Sequence, residues 1–328
     1  MLSPADYYFP TPVGGLPLSD DLAPSIVFAA LYGCLAPLVL YRMISPGSRC
    51  IMLLPTAILA TMRVVDLSLR AWQATTPVGQ KSVHIIAFLQ ANYATGYMSL
   101  GETLLALLRC LLVGTTKGHS SIDGVPENGL SDGSTALRLD AVAGGTTPKN
   151  QTTSSLQVAS DTEQCEDAQQ RRKLFRKLCV IAALIYYADI GLGSATGGLY
   201  DNITSSSSTA NALQILRYMS AGMTLGLLVA TFVAATHVLI ISPRHRNAAL
   251  FILLITCLAT VPAIYRLVVM RFKTIAFQST APGSLNSQGS KATFYVFHIL
   301  PELVGAVCLF SLNVRTLFET GAWGDIRG

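Results

Sequence analysis

Seven long stretches of this chain carry almost no charge, and they decide what it can fold into. They run over residues 22–43, 51–69, 84–113, 178–199, 213–241, 248–270 and 293–317. A helix crossing about 30 Å of hydrocarbon at about 1.5 Å per residue needs about 20 mostly apolar residues, and each stretch meets that length. None alternates polar with apolar residues over about ten positions, as barrel strands do. The rest of the composition agrees. Only 12% of residues are charged and mean hydropathy is +0.48, whereas an ordinary soluble domain carries about 25% charge. With 23 Lys+Arg and 18 Asp+Glu in 328 residues, the chain cannot coat the surfaces of soluble domains, and it has too much apolar side chain for global disorder. The sequence predicts an all-α polytopic membrane protein with a seven-transmembrane-helix bundle.

Basic residues set the expected orientation. With the N-terminus outside and the C-terminus inside, inner loops and tail hold 14 of the 23 Lys and Arg, and outer segments hold five. The expected organisation is an extracellular tail (1–21), helices one to three (22–113), a disordered cytoplasmic loop (114–177), helices four to seven (178–317) and a cytoplasmic tail (318–328). The long loop is rich in Gly, Ser, Thr and acids and lacks apolar periodicity. It ends in the basic run Arg171-Arg172-Lys173-Leu174-Phe175-Arg176-Lys177, which either fixes topology or attracts anionic inner-leaflet lipid. The sequon at Asn202 falls outside in this topology and is the expected glycosylation site, whereas the Asn150 sequon falls inside. The seven cysteines lie in spans or on the inner side, so no extracellular disulfide is expected. Cys50, Cys110 and Cys179 sit near inner helix ends, where packing is the favoured role over acylation.

Charges inside a span cost a few kcal/mol, so they tend to face a bundle interior or a wet cavity. Arg63, Asp66, Glu102, Asp189, Arg266, His298 and Glu302 are the ligand-binding or proton-coupling candidates, most of them in the expected outer half. Arg63 and Asp66 are one helical turn apart and can pair. Arg266 is expected to pair with Asp189 or Glu302, and the group as a whole to line an outward-opening polar crevice among spans two, four, six and seven. The alternative is interhelical hydrogen-bond glue. Pro37, Pro55, Pro262 and Pro301 interrupt spans, and Gly193-x-x-x-Gly197 and Gly222-x-x-x-Gly226 permit close helix packing, more simply within the molecule than between copies.

Signatures of chemistry are missing. The five histidines contain no H-x-x-x-H or H-E-x-x-H, no lysine lies in the interior of span seven for a retinal Schiff base, and there is no Walker A sequence. The chain is read as a non-enzyme without cofactor or metal and without nucleic-acid partners. Large receptor families carry an acid-Arg pair ending span three and an Asn-Pro signature ending span seven; here Leu108-Arg109-Cys110 and Leu312-Asn313-Val314-Arg315 stand instead.

Phe294-Tyr295-Val296-Phe297-His298-Ile299-Leu300-Pro301 resembles the aromatic-Tyr-Val-Phe-acid-x-Leu-Pro segment of the fungal lipid-translocating exporter (aminocholesterol-resistance) family. Ala263-Ile264-Tyr265-Arg266 resembles that family's aromatic-Arg element, and the Gly-rich run 191–198 its Gly-rich stretch. His298 replaces an acid, no acid follows Arg266, and Asn313-Val314-Arg315 replaces a His-Pro-Gly ending; a receptor-like fungal sister group shares the span-seven pattern. The resemblance implies seven spans and the binding or translocation of an amphiphilic, lipid-like molecule. Arg63 and Arg266 would face its headgroup, and Asp66, Asp189 and Glu302 would hold an amine or carry protons. The other function considered is a G-protein-coupled-receptor-like sensor of an extracellular ligand. Expected partners are membrane lipids, an amphiphilic small molecule and a cytoplasmic protein at the 114–177 loop; the expected location is the plasma membrane.

Overall fold

The computed structural model describes residues 7–80, 82–116, 152–281 and 283–324, of which 152–168 are described as backbone alone. Seven long helices form the bundle: α1 (Leu22–Ile44), α2 (Leu54–Thr75), α3 (Val83–Thr115), α4 (Thr152–Tyr200), α5 (Ser207–Ile241), α6 (Arg246–Val269) and α7 (Gln288–Ser311). All seven contain windows long and apolar enough to cross a bilayer, and the chain is an integral membrane protein of the all-α class. The apolar windows of α3 and α7 are each 61% buried within the protein, whereas those of α1, α4 and α5 are 22–28% buried. Thus α3 and α7 form the centre, and α1, α4 and α5 turn large apolar faces outward to lipid.

Three boundaries differ from the sequence expectation. Helix α4 starts at Thr152, so residues 152–177, expected as irregular loop, are helical through the basic run; residues 117–151 of that loop, with Asn150, lie outside the described residues. Helix α7 stops at Ser311 rather than Leu317, because Leu312 turns extended and Val314–Leu317 forms a separate turn. The Arg42 guanidinium donates to the carbonyls of Phe310 and Ser311 at 2.8 Å each, satisfying groups that a helix end leaves open. Pro55 does not break α2; it sits in the first turn, where its missing N–H costs nothing. Pro301, which also lacks an N–H, follows a π-helical stretch over Tyr295–Ile299 in α7, where the Leu300 N–H reaches back to the Tyr295 carbonyl.

The segment expected as an extracellular tail is part of the core. Phe9, Thr11, Val13 and Leu16 are each at most 1% exposed. Phe9 and Pro10 pair antiparallel with Lys273 and Thr274, and Thr11 Oγ1 donates to the Gly283 carbonyl at 2.9 Å. Gln90 of α3 exchanges two hydrogen bonds with the Val13 backbone, at 2.8 and 3.1 Å. Gly14 and Gly15 have φ of +77° and +63°, the left-handed region that favours glycine, and a side-chain carbon at Gly14 would lie 2.9 Å from the Phe294 ring. Residues 7–18 thereby cover one end of the bundle.

The two small-residue motifs divide. A Cβ at Gly197 would sit 2.6 Å from the Ala91 Cβ and 2.8 Å from the Ala87 carbonyl, so α4 lies directly on α3 there, an intramolecular contact as expected. Gly222 and Gly226 face open space. Cys34, Cys50, Cys179, Cys257 and Cys308 are free thiols. Cys50, between α1 and α2, is fully buried, which pushes its thiol pKa up and makes it a packing group rather than a reactive one. Gly197→Ala should therefore cost about 1–3 kcal/mol by overpacking, read as a lower unfolding midpoint in detergent, while Gly226→Ala should leave the midpoint unchanged.

Candidate functional site

The centre of the bundle is organised around Arg63. Its guanidinium makes a fork on Glu302 of α7, Nε to Oε2 at 2.7 Å and Nη2 to Oε1 at 3.0 Å. Its Nη1 donates to Asp66 Oδ2 at 2.9 Å, one turn along α2, as the spacing predicts. Asn92 of α3 completes the arrangement by donating to Asp66 Oδ1 at 2.7 Å. Arg63, Asp66 and Glu302 are 0% exposed. Room for the guanidinium comes from Gly96, where any Cβ would collide with Arg63 Nη2. Three helices are joined by one charged group whose oxygen and nitrogen partners are in place.

A second node lies nearer the covered end. Asp21 receives Arg70 Nη2 at 2.8 Å, Lys291 Nζ at 2.5 Å and the Tyr295 hydroxyl at 3.2 Å, and its carboxylate accepts from the Leu18 N–H at 3.0 Å. Arg70 also donates to the Gly14 carbonyl. Sequence reasoning assigned Asp21, Arg70 and Lys291 to outer tails and loops because they flank the apolar stretches; all three are at most 3% exposed.

Arg266 departs from expectation. It pairs with neither Asp189 nor Glu302: Glu302 is taken by Arg63, and Asp189 is held by the Thr224 hydroxyl. Arg266 is 3% exposed, its Nε and Nη1 have no hydrogen-bond partner, and its charged end lies 5.5 Å over the Tyr97 ring. Within its electrostatic reach is Arg217 of α5, which lies inside the fifth apolar stretch and is not among the candidates read from the sequence. Arg217 is 2% exposed; its Nη1 donates to the Thr11 carbonyl at 3.0 Å and to Tyr200 at 3.1 Å, and its Nη2 has no partner. Among the described residues no carboxylate comes within ion-pair distance of either arginine. A lone arginine in an apolar stretch, with no acid at helical spacing, was the only signal available for Arg217.

His298 sits on the π-helical stretch between these groups. Tyr93, Tyr97, Tyr265 and Phe294 surround its ring at centroid distances of 5.4–6.4 Å. Neither ring nitrogen makes a hydrogen bond of normal geometry, and Nε2 lies 4.0 Å from Glu302, on the same face as the four-residue spacing implies. Arg63, Asp66, Asp189, Arg266, His298 and Glu302 thus fall together as the sequence suggested, but enclosed rather than lining an open crevice. Glu102 does not join them; it lines a separate cavity towards the other end. Among the described residues no group of three or more His, Cys, Asp or Glu is placed to hold a metal ion.

Comparison with family models, with curated proteins and with solved structures yields no match. The bundle thus holds a saturated ion lock at Arg63 and, separately, two buried arginines with donors to spare. Removing Arg63 strands two buried carboxylates, and losing one partner of a buried pair typically costs about 3–5 kcal/mol. Arg63→Leu should lower the detergent unfolding midpoint far more than Glu302→Gln, which keeps the shape and one acceptor; equal midpoints for Arg63→Leu and the parent would show that the lock does not hold the bundle.

Proposed function

We propose that this membrane protein binds and translocates an amphiphilic, lipid-like molecule, seating the anionic part of its headgroup between Arg266 and Arg217. The observation that carries the reading is the pair of buried guanidinium groups with unfilled donors and, among the described residues, no carboxylate on either. Burying an unpaired charge costs several kcal/mol, and an oxyanion accepting from both arginines offsets that cost. Tyr97 and Tyr265 give the surroundings of such a headgroup an amphipathic wall, and Asp189 limits the total positive charge. Arg63 takes a different role from the one its depth suggested: its donors are committed to Glu302 and Asp66, so it positions α7 rather than meeting the substrate.

The resemblance of 294–301 and 263–266 to the fungal lipid-translocating exporters supports the same direction. Residues 7–18 form the cover that a substrate arriving from that end must displace, and the contact of Arg217 with Thr11 links the cover to the arginine pair. The Lys and Arg distribution supports a plasma-membrane orientation with this covered end outside. Asn202, exposed in the turn between α4 and α5, then carries a glycan. Asn202→Gln should abolish a glycosidase-sensitive mobility shift in the expressed protein if that orientation holds.

A receptor-like sensor is the second reading, favoured by the same cover: a ligand that lifts residues 7–18 pulls on Arg217, and through Gly14 on Arg70. The two readings part in reconstituted vesicles. The transport reading expects protein-dependent movement of a fluorescent anionic amphiphile between leaflets, reduced about tenfold or more by Arg266→Gln or Arg217→Gln, as for the loss of about 1.4 kcal/mol or more. Normal folding without movement of any tested lipid would reject it, and ligand-dependent recruitment of a cytoplasmic protein would favour the sensor.

A further inference from the structure

The far end of the bundle holds a second feature that the arginine pair does not use. A cavity of about 300 Å³ lies between the first turn of α2, the second half of α3 and the lipid-facing side of α4, closed at its end by Trp323. The Ile51 N–H donates to the Ala322 carbonyl at 3.0 Å and holds the chain bearing Trp323 against α2. Most of the lining is apolar, but Glu102 and Arg109 both reach it from α3. They are seven residues apart, so they stand two turns apart on one face, about 10.5 Å along the axis. Among the described residues neither makes an ion pair. Glu102 meets the Tyr187 hydroxyl, and the Arg109 Nε is buried without a hydrogen-bond partner. Tyr187 is 57% and Trp323 47% exposed, so the cavity opens sideways, where a bilayer would lie.

An acid and a base inside a spanning segment, both partly exposed and neither in an ion pair among the described residues, call for a ligand that carries both charges. A purely anionic headgroup meets Arg109 but is repelled by Glu102; a purely cationic one meets the reverse. We infer that the cavity binds a zwitterionic phospholipid headgroup of the phosphocholine type, with its phosphate on Arg109 and its quaternary ammonium on Glu102. The two-carbon bridge between phosphate and ammonium lets the headgroup lie along α3 between the two side chains. The Tyr187 ring, at Glu102, supplies a π face that favours a quaternary ammonium, and Trp323 closes the cavity at its other end. The acyl chains leave through the side opening, along the exposed apolar surface of α4. In this pose the two side chains converge on the headgroup and the ammonium leads, up to about one turn deeper along α3 than the phosphate, so the headgroup is drawn below the interface. The inference stands apart from the proposed transport activity, since it involves neither arginine of the other site.

Trp323 reports on this cavity directly. The chain has two tryptophans, so Trp72→Phe leaves Trp323 as the sole emitter. The full chain carrying that substitution is reconstituted in phosphatidylglycerol vesicles containing rising fractions of phosphatidylcholine spin-labelled on its headgroup. Quenching of Trp323 should reach its midpoint at a low label fraction and be reversed by unlabelled phosphatidylcholine. Glu102→Gln and Arg109→Gln should each raise the midpoint roughly tenfold, as for one lost charge-assisted contact, with unfolding midpoints close to the parent. Arg266→Gln should leave quenching unchanged even if it abolishes transport, which separates the two ideas. Quenching that merely tracks bulk label fraction in parent and variants alike would overturn the inference. So would displacement by excess phosphatidylglycerol, or by a trimethylammonium lipid lacking phosphate, as effective as displacement by phosphatidylcholine.

Discussion

A guanidinium in the middle of a membrane-spanning bundle has no water to turn to, and the way Arg63 is satisfied governs the structure around it. Its fork on Glu302 fixes the height of α7 against α2, because two parallel N–H···O contacts tolerate little sliding. Its third contact, Asp66, is in turn held by Asn92, so α3 is brought into the same register. Gly96 makes that closeness feasible. A lock of this kind adds little net stability over well-packed apolar side chains, since both charges must be desolvated. What it contributes is one arrangement of three helices rather than several. The π-helical stretch sits one turn away on α7, where Leu300 bonds back to Tyr295, and this irregular turn aims His298 into the ring of Tyr93, Tyr97, Tyr265 and Phe294.

The covered end follows the same rule with different materials. An extended segment has unpaired backbone groups, and residues 9–17 are buried only because each stretch finds partners: the strand at 273–274, Gln90 for Val13, Asn286 Oδ1 for the Leu16 N–H, and the Arg217 and Arg70 side chains for the Thr11 and Gly14 carbonyls. Two of the five buried cations thus hold the cover down. Arg217 links the two regions, since one of its nitrogens holds Thr11 and another has no hydrogen-bond partner, within electrostatic reach of Arg266. On the proposed reading, displacing the cover and loading the arginine pair would be coupled through this single side chain.

The seven helices were legible because length and hydropathy report the cost of backbone in hydrocarbon, which depends on local sequence alone. The pair Arg63–Asp66 was legible for the same reason, being one turn apart. The fork from Arg63 to Glu302 joins residues 239 positions apart, and no helical periodicity encodes which of several buried acids a given arginine meets. That ambiguity led to the expectation that Arg266 would pair with Asp189 or Glu302. Asp21, Arg70 and Lys291 were hidden by the method that found the spans: a charge just beyond an apolar run reads as loop, whether it faces water or folds inward. Residues 7–18 were hidden likewise, being too short and too rich in Pro and Gly to register as an element, although Gly14-Gly15 marks the left-handed turn that lets them enter.

Taken together, the buried charges separate structure from function by their degree of satisfaction. Among the described residues five cations, Arg63, Arg70, Arg217, Arg266 and Lys291, are buried with four anions, Asp21, Asp66, Asp189 and Glu302. Three of the anions are spent on Arg63, Arg70 and Lys291. Asp189 is held by Thr224 and stays beyond ion-pair distance of Arg266, so the deficit of negative charge is concentrated on one side of the bundle, between α5 and α6, instead of being shared out. A bundle stabilised only by interhelical hydrogen bonds has no need of such a deficit, because an apolar residue at 266 would reduce it without breaking an ion pair. Two desolvated guanidinium groups within electrostatic reach of each other, with donors in reserve and a covering segment bonded to one of them, fit the proposed reading, in which a negative charge is received from outside the chain.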